Sequence, residues 1–310
     1  MSDRTDQNLT SDAMLQLLFT AATAYNLNVA RAPAPTMAAA TELPKLYVYG
    51  ALRLPPRRRN SLPHQVHPWP QPTKRLTAPP RLRRTDHCPF CVRVRVAAGV
   101  LGIKHNLVFM GNDDIPTPTA LIGKKIAPIW VDEDGPMMES LDIIEKIDTG
   151  KVLKPASGRT DLKAWQKSVQ TLLRKLQRPR YVMVPLPEFM QKDGRDAFVA
   201  NHQMPPFEKK DWKGAADFPI EKKYGYYEEA FGQTAELLPE LNKALLELEP
   251  LICCADCCTE GGVSYDDIDL WARLRSLTVI KGAAIPPKVR AYLDHFEAKG
   301  DVPLYDVMAV

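Results

Sequence analysis

The stretch Arg84–Val94, RTDHCPFCVRV, holds Cys88 and Cys91 with Pro89 directly after the first cysteine. Three chemistries use such a pair: a metal clip, a structural disulfide and a redox-active dithiol. Proline is favoured at the first position of a helix, which places Cys88 at the N-cap. A sulfur there faces unpaired backbone N–H groups and the positive end of the helix dipole. Both favour thiolate over thiol and pull its pKa below the ordinary value of about 8.5. Cys91 falls one turn inside the helix, so the pair reads as unequal: Cys88 attacks and Cys91 resolves. Arg93 and Arg95 nearby are expected to add positive potential. A second CxxC, Cys254 to Cys257, keeps zinc as a rival, but a proline after the first cysteine and a helix behind it suit a dithiol site better.

Upstream, the chain changes character. Between Gly50 and Thr85 stand nine Lys/Arg, eight prolines and no acidic residue. This segment has neither a strand nor a helix period and reads as an extended, solvated loop, whose composition resembles translated non-coding sequence or else a basic, polyproline-II-like docking segment for an acidic partner. Outside it, 32 basic residues face 37 acidic ones, so the overall charge of +4 is no argument for nucleic-acid binding.

No uninterrupted apolar run reaches about 18 residues, so no transmembrane helix is expected. The six cysteines sit in two clusters, unlike the dispersed framework of a secreted protein, which points to a reducing compartment. Asp3, Asp6 and Asp12 argue against a transit peptide. A cytoplasmic protein is expected, with a mitochondrial one as the alternative.

Residues 1–44 read as an extension of low structure, and KLYVY (Lys45–Tyr49) as a first strand. Past Cys91, helical sequence is closed by Gly102. HNLVFM is a strand, TPTALIGKK a short helix, APIWVD and PMMES a hairpin about Glu133-Asp134-Gly135, and ESLDIIEKIDTG a helix stopped by Gly150. The order β-α-β-α-β-β-α over 45–150, with the insert at 50–85, fits a thioredoxin-like α/β domain. From about 155 to 310 strands vanish. Leu162, Trp165, Val169, Leu172, Leu173 and Leu176 recur at helical spacing, as do Leu237, Leu238, Leu241, Leu245 and Leu248. Ser264 and Asp267 form a capping box, with Val263 and Ile268 at the staple positions. The fold class is therefore α/β plus all-α.

Two further features stand in the order a thiol-peptide site needs. Pro128 begins the strand of IAPIW, where a cis peptide would turn the Ala127 backbone toward the active site. Glu139 and Ser140 sit at a helix N-terminus suited to a carboxylate or amine.

KLYVY joined to DHCPFC, then GNDDIPTPTALIGKKIAPIW, MMESLDIIEKID and the terminal YDVMAV resemble the glutaredoxin 2 family, over 45–49 and 86–310. The resemblance implies a thioredoxin-like domain followed by an all-helical, glutathione-transferase-like domain. It also implies glutathione-dependent thiol–disulfide oxidoreductase activity on disulfide or glutathionylated proteins. On this reading Cys88 is the nucleophile and Cys91 the resolving thiol. Ala127 and Pro128 provide the cis-proline backbone contact, Glu139 and Ser140 hold the γ-glutamyl end of glutathione, and Phe90 forms an aromatic wall where the family more usually has Tyr. Glutathione serves as co-substrate, no metal is required, and a monomer with no membrane or nucleic-acid partner is expected. Two rivals stand beside this reading: a glutathione transferase, and a non-enzymatic metal or iron–sulfur module using both cysteine clusters. Cys253–Cys258, CCADCC, stays open between a metal site, a redox sensor and a plain inter-helix loop.

Overall fold

The computed structural model describes residues 79–214 and 218–310. The strand expected at Lys45–Tyr49 lies outside these residues. The segment read as a loop up to Thr85 instead ends in a strand, β1 (Arg81–Arg84), which stands inside the sheet. Parallel β2 (Asn106–Phe109) flanks it on one side. On the other side runs antiparallel β3 (Ile129–Asp132), which continues through a tight turn into β4 (Gly135–Met137). The sheet order is β2-β1-β3-β4.

RLRR is an unusual sequence for a sheet interior, and its burial shows how it is accommodated. Leu82 and Arg84 point into the protein and are fully buried, while Arg81 is exposed and Arg83 half-buried, the two-residue alternation of a strand. The buried guanidinium of Arg84 donates to the carboxylate of Asp86 at 2.7 Å and to the Thr85 carbonyl at 3.1 Å, and lies over the Phe109 ring. A charge is tolerated in this core because its partner is buried with it.

Helix α1 (Pro89–Val100) follows β1 at once, and Gly102 closes it with φ of +68°. Helix α2 is Pro116–Ile122, and α3 is Ser140–Ile147 with Ile143, Ile144 and Ile147 buried as its spacing predicts. The terminator of α3 is Asp148 rather than Gly150: its carboxylate accepts the N–H groups of Val152 at 2.7 Å and Leu153 at 3.0 Å.

Everything beyond is helical: α4 (Thr160–Ser168), α5 (Gln170–Tyr181), α6 (Lys192–Asn201), α7 (Lys209–Gly214), α8 (Ile220–Gly232), α9 (Thr234–Leu248), α10 (Tyr265–Leu274) and α11 (Pro287–Gly300), with single 3-10 turns between some of them. The leucine stripe read as continuous across 162–176 breaks at Val169, where α4 hands over to α5. At the head of α10 the capping box between Ser264 and Asp267 forms as expected. Among the described residues no helix is long and apolar enough to cross a membrane.

The two halves share one core, because α1 packs against both α10 and α11. At the α1–α11 crossing, Gly99 faces Gly300 with no room for a side chain. A Cβ on Gly99 would lie 2.0 Å from the Gly300 carbonyl oxygen, and one on Gly300 would lie 2.6 Å from Val96 Cγ2. Gly99→Ala must therefore push the helices apart. It is expected to destabilise the chain by about 1–3 kcal/mol, the usual cost of overpacking, read as a lower urea midpoint at unchanged slope.

Candidate functional site at the head of helix α1

Cys88 is the N-cap of α1, with extended backbone (φ −72°, ψ 119°), and Pro89 takes the first helical position. Its carbonyl accepts the N–H of Val92 at 3.0 Å, the first bond of the helix. As a residue Cys88 is half-buried at the edge of the cleft, while Cys91 is fully buried one turn inside. Both cysteines carry free thiols.

The environment divides the pair. A hydrogen bond from the Cys91 thiol does most to bring Cys88 down, to about 6. Burial works against it, and the His87 charge and the N–H groups of Cys91 and Phe90 add to the lowering. Burial, followed by the Cys88 thiolate beside it, pushes the Cys91 thiol well above the ordinary thiol value. One sulfur is thus a thiolate at neutral pH and its neighbour a protonated donor.

Arg93 and Arg95, expected to supply positive potential, are turned to other work. Arg93 pairs with Asp269 of α10 and lies over the Phe90 ring. Arg95 donates to the Asp301 carbonyl at 3.1 Å and approaches Asp86 at 3.6 Å. The ring that contributes to lowering Cys88 is His87, its neighbour in the chain.

The loop carrying Cys88 is fixed by Asp86, a fully buried carboxylate. One oxygen accepts from Arg84 at 2.7 Å, and the other from Arg275 at 2.9 Å and the Tyr305 hydroxyl at 3.0 Å. Arg275 and Tyr305 also donate to the Asp86 carbonyl, at 3.0 and 2.9 Å. Both belong to the helical half, so this cluster ties the halves together directly below the active-site turn. A second buried carboxylate, Glu188, accepts the N–H groups of Asp86 and His87, each at 2.8 Å, and contacts His87 Nδ1 at 2.6 Å. Sequence reasoning missed Asp86, His87, Glu188 and Arg275. The one local signal was an acid two residues after a run of arginines.

Cys88 opens into a cleft of about 390 Å³ between the halves. His87, Phe90, Tyr181, Phe198 and His202 give it an aromatic wall, and Arg174, Arg178 and Arg273 a basic one. His202 stacks on Phe198 at 4.1 Å, and burial pulls its imidazole down to about 3, so it is a neutral ring. Phe90 stands 47% exposed at the mouth.

Of the residues the resemblance assigns to glutathione, Ala127, Pro128, Glu139 and Ser140 do not line this cleft. The Ala127–Pro128 bond is cis, at the start of β3. Arg83 pairs with Ile129, and one further step along that register sets Arg84 opposite Pro128, at the end of the sheet from which the Cys88 loop leaves. Glu139 caps α3 with φ of +68°, its exposed carboxylate 4.0 Å from Lys124, and Ser140 is buried at the first helical position. The two cysteine clusters do not converge. The cysteines close enough to share an ion among the described residues are Cys253, Cys254 and Cys257, without Cys88 or Cys91. A metal module spanning both clusters is therefore not formed.

A thioredoxin-like layer bearing an N-cap cysteine, set on a helical domain, defines the class of two-domain proteins with a glutathione-transferase-like fold. Residues 87–149 match the family model for the glutathione S-transferase N-terminal domain, and residues 215–309 that for the glutaredoxin 2 C-terminal domain. The chain is 29% identical over 228 residues to glutaredoxin 2 of Escherichia coli strain K12, covering 73% of this chain and 97% of that one, with the same figures for strain O157:H7. The crystal structure of glutaredoxin 2 from Salmonella typhimurium in complex with glutathione superimposes with a TM-score of 0.65 at 29% identity, covering 76% of this chain and all of that one. These matches make the glutaredoxin 2 proteins homologues of this chain over about three quarters of its length.

The Asp86 cluster has a measurable signature. Burial alone would raise the Asp86 carboxyl, but Arg275, Arg84 and Arg95 outweigh it and hold it well below the ordinary carboxylate range. A carboxyl lowered in the folded state contributes stability that is complete above its unfolded value of about 3.9 and drains away as pH falls further. Asp86→Asn leaves buried guanidinium groups short of a counter-charge and is expected to cost about 3–5 kcal/mol at pH 7. Urea unfolding should show that gap between variant and parent narrowing as pH is taken below about 4.

Proposed function

We propose that the chain is a glutathione-dependent thiol–disulfide oxidoreductase that reduces glutathione mixed disulfides and protein disulfides through Cys88. The observation that carries this reading is the division of the pair: a half-buried cysteine at a helix N-cap, lining the cleft and lowered to about 6, beside a fully buried partner raised well above normal. Homology supports it, since the related Salmonella protein is seen in complex with glutathione.

In the monothiol route the Cys88 thiolate attacks the glutathione sulfur of a mixed disulfide. The target leaves as a thiolate and takes a proton from solvent, and a Cys88–glutathione disulfide remains. A second glutathione thiolate attacks that adduct, releasing oxidised glutathione and restoring the Cys88 thiolate. In the dithiol route Cys88 attacks a protein disulfide, and Cys91 gives up its proton and displaces the product by attacking Cys88. Two glutathiones then reduce the Cys88–Cys91 disulfide. Neither route calls on a metal.

In this reading the glutathione main chain pairs with the Ala127–Pro128 backbone, and Glu139 and Ser140 hold its γ-glutamyl end at the α3 N-terminus. Phe90 covers the sulfur. The aromatic and basic cleft on the other side of Cys88 then receives the target. We place the protein in the cytoplasm, acting as a monomer on disulfide and glutathionylated proteins.

A transferase would need only one thiol, so Cys91 decides between the two. With a glutathione mixed disulfide as substrate, Cys88→Ser is expected to lose more than about 1,000-fold in rate, as removal of a nucleophile does. Cys91→Ser should retain deglutathionylation and lose reduction of protein disulfides. Rapid conjugation of a chlorinated aromatic acceptor, with no mixed-disulfide reduction, would establish the transferase instead.

A further inference from the structure

The run Cys253–Cys258 takes no part in the redox site. It lies between the 3-10 turn Glu249–Leu251 and α10, and its backbone closes on itself as a tight hairpin. The N–H of Cys253 donates to the Cys258 carbonyl at 3.3 Å, and that of Cys254 to the Cys257 carbonyl at 3.0 Å. The hairpin is anchored in the core at Cys258. Its N–H donates to the buried Asp267 carboxylate at 2.6 Å, and its carbonyl accepts from Arg159 at 2.6 Å. This fold brings Cys254 and Cys257 sulfurs to 3.2 Å, and with Cys253 all three sulfurs lie within 4.8 Å of one another. Cys257 is buried, Cys254 half-buried and Cys253 exposed, so the cluster opens to solvent on one side.

We propose that Cys253, Cys254 and Cys257 form a three-thiolate site for a single zinc ion, with the fourth coordination position open to water. A tetrahedral zinc with Zn–S bonds of about 2.3 Å sets its sulfurs about 3.8 Å apart. The closest pair must open by roughly half an ångström and no other separation need close by more than about one, movements within reach of side-chain rotation on a fixed hairpin. Three soft sulfur donors with no carboxylate among them select a thiophilic ion and exclude magnesium and calcium. Binding moves no electrons: each thiol gives its proton to solvent, and zinc on three thiolates leaves one net negative charge. A Cys254–Cys257 disulfide is the competing fate of the same sulfurs, and it would leave Cys253 alone.

The full chain carrying Cys88→Ser and Cys91→Ser isolates this cluster from the redox pair. Under reducing conditions and titrated with Co²⁺, it is expected to bind one equivalent, with an intense thiolate-to-cobalt charge-transfer band that one equivalent of Zn²⁺ abolishes. Adding Cys254→Ser or Cys257→Ser should weaken binding at least about 100-fold. Adding Cys253→Ser, an exposed position that leaves the core untouched, should do the same while the metal-free melting temperature stays that of the parent. No stoichiometric cobalt binding, binding that survives these serines, or a Cys254–Cys257 disulfide that persists under these reducing conditions would each overturn the proposal.

Discussion

The structure depends on one buried carboxylate. Asp86 stands between strand β1 and the Cys88 turn, and its oxygens are shared among Arg84 of the strand, Arg275 and Tyr305 of the helical half, and Arg95 of α1. A lone charge in that position would be intolerable, and so would the guanidinium groups without it. Together they form a network that only one arrangement of the two halves satisfies. Because Cys88 lies two residues beyond Asp86, the place of its sulfur relative to the helical half is set by the same network. Glu188 adds a second fixed point by accepting the N–H groups of Asp86 and His87.

The same network explains why the first strand was hidden. Leu82 is the one apolar residue of RLRR, and nothing local shows that Arg84 will be buried. Its neutralising partner sits beyond the basic segment, and the two further groups that make the burial tolerable stand in the helical half, nearly two hundred residues away or more in sequence. KLYVY, with its β-branched and aromatic residues, was the stronger strand signal by pattern. Pattern cannot register a strand whose burial is secured by distant ion pairing. The family match also begins at His87, after this strand.

Where local chemistry governs, the sequence was legible. Cys88 at the N-cap, Pro89 at the first helical position, the hairpin after Pro128, the α3 stripe of Ile143, Ile144 and Ile147, and the capping box at Ser264 each follow from a few neighbouring residues. The source of the Cys88 environment was only half visible. The helix terminus was readable from Pro89, but the arginines nearest in sequence were assigned a role that the Cys91 thiol and His87 fill. Side-chain direction on α1 depends on Asp269 and Asp301, which sequence spacing does not bring near.

Fold and proposed chemistry meet in the Cys88 sulfur, which the helix N-terminus and the Cys91 thiol make a thiolate at neutral pH. The most direct measurement is the pH dependence of Cys88 alkylation by iodoacetamide, followed by intact mass at limiting reagent, with Cys253, Cys254, Cys257 and Cys258 replaced by serine so that they cannot compete. The rate should rise with a midpoint near pH 6, with Cys91 unmodified throughout. A midpoint near the ordinary thiol value of about 8.5, or alkylation of Cys91 as fast as Cys88, would contradict the account.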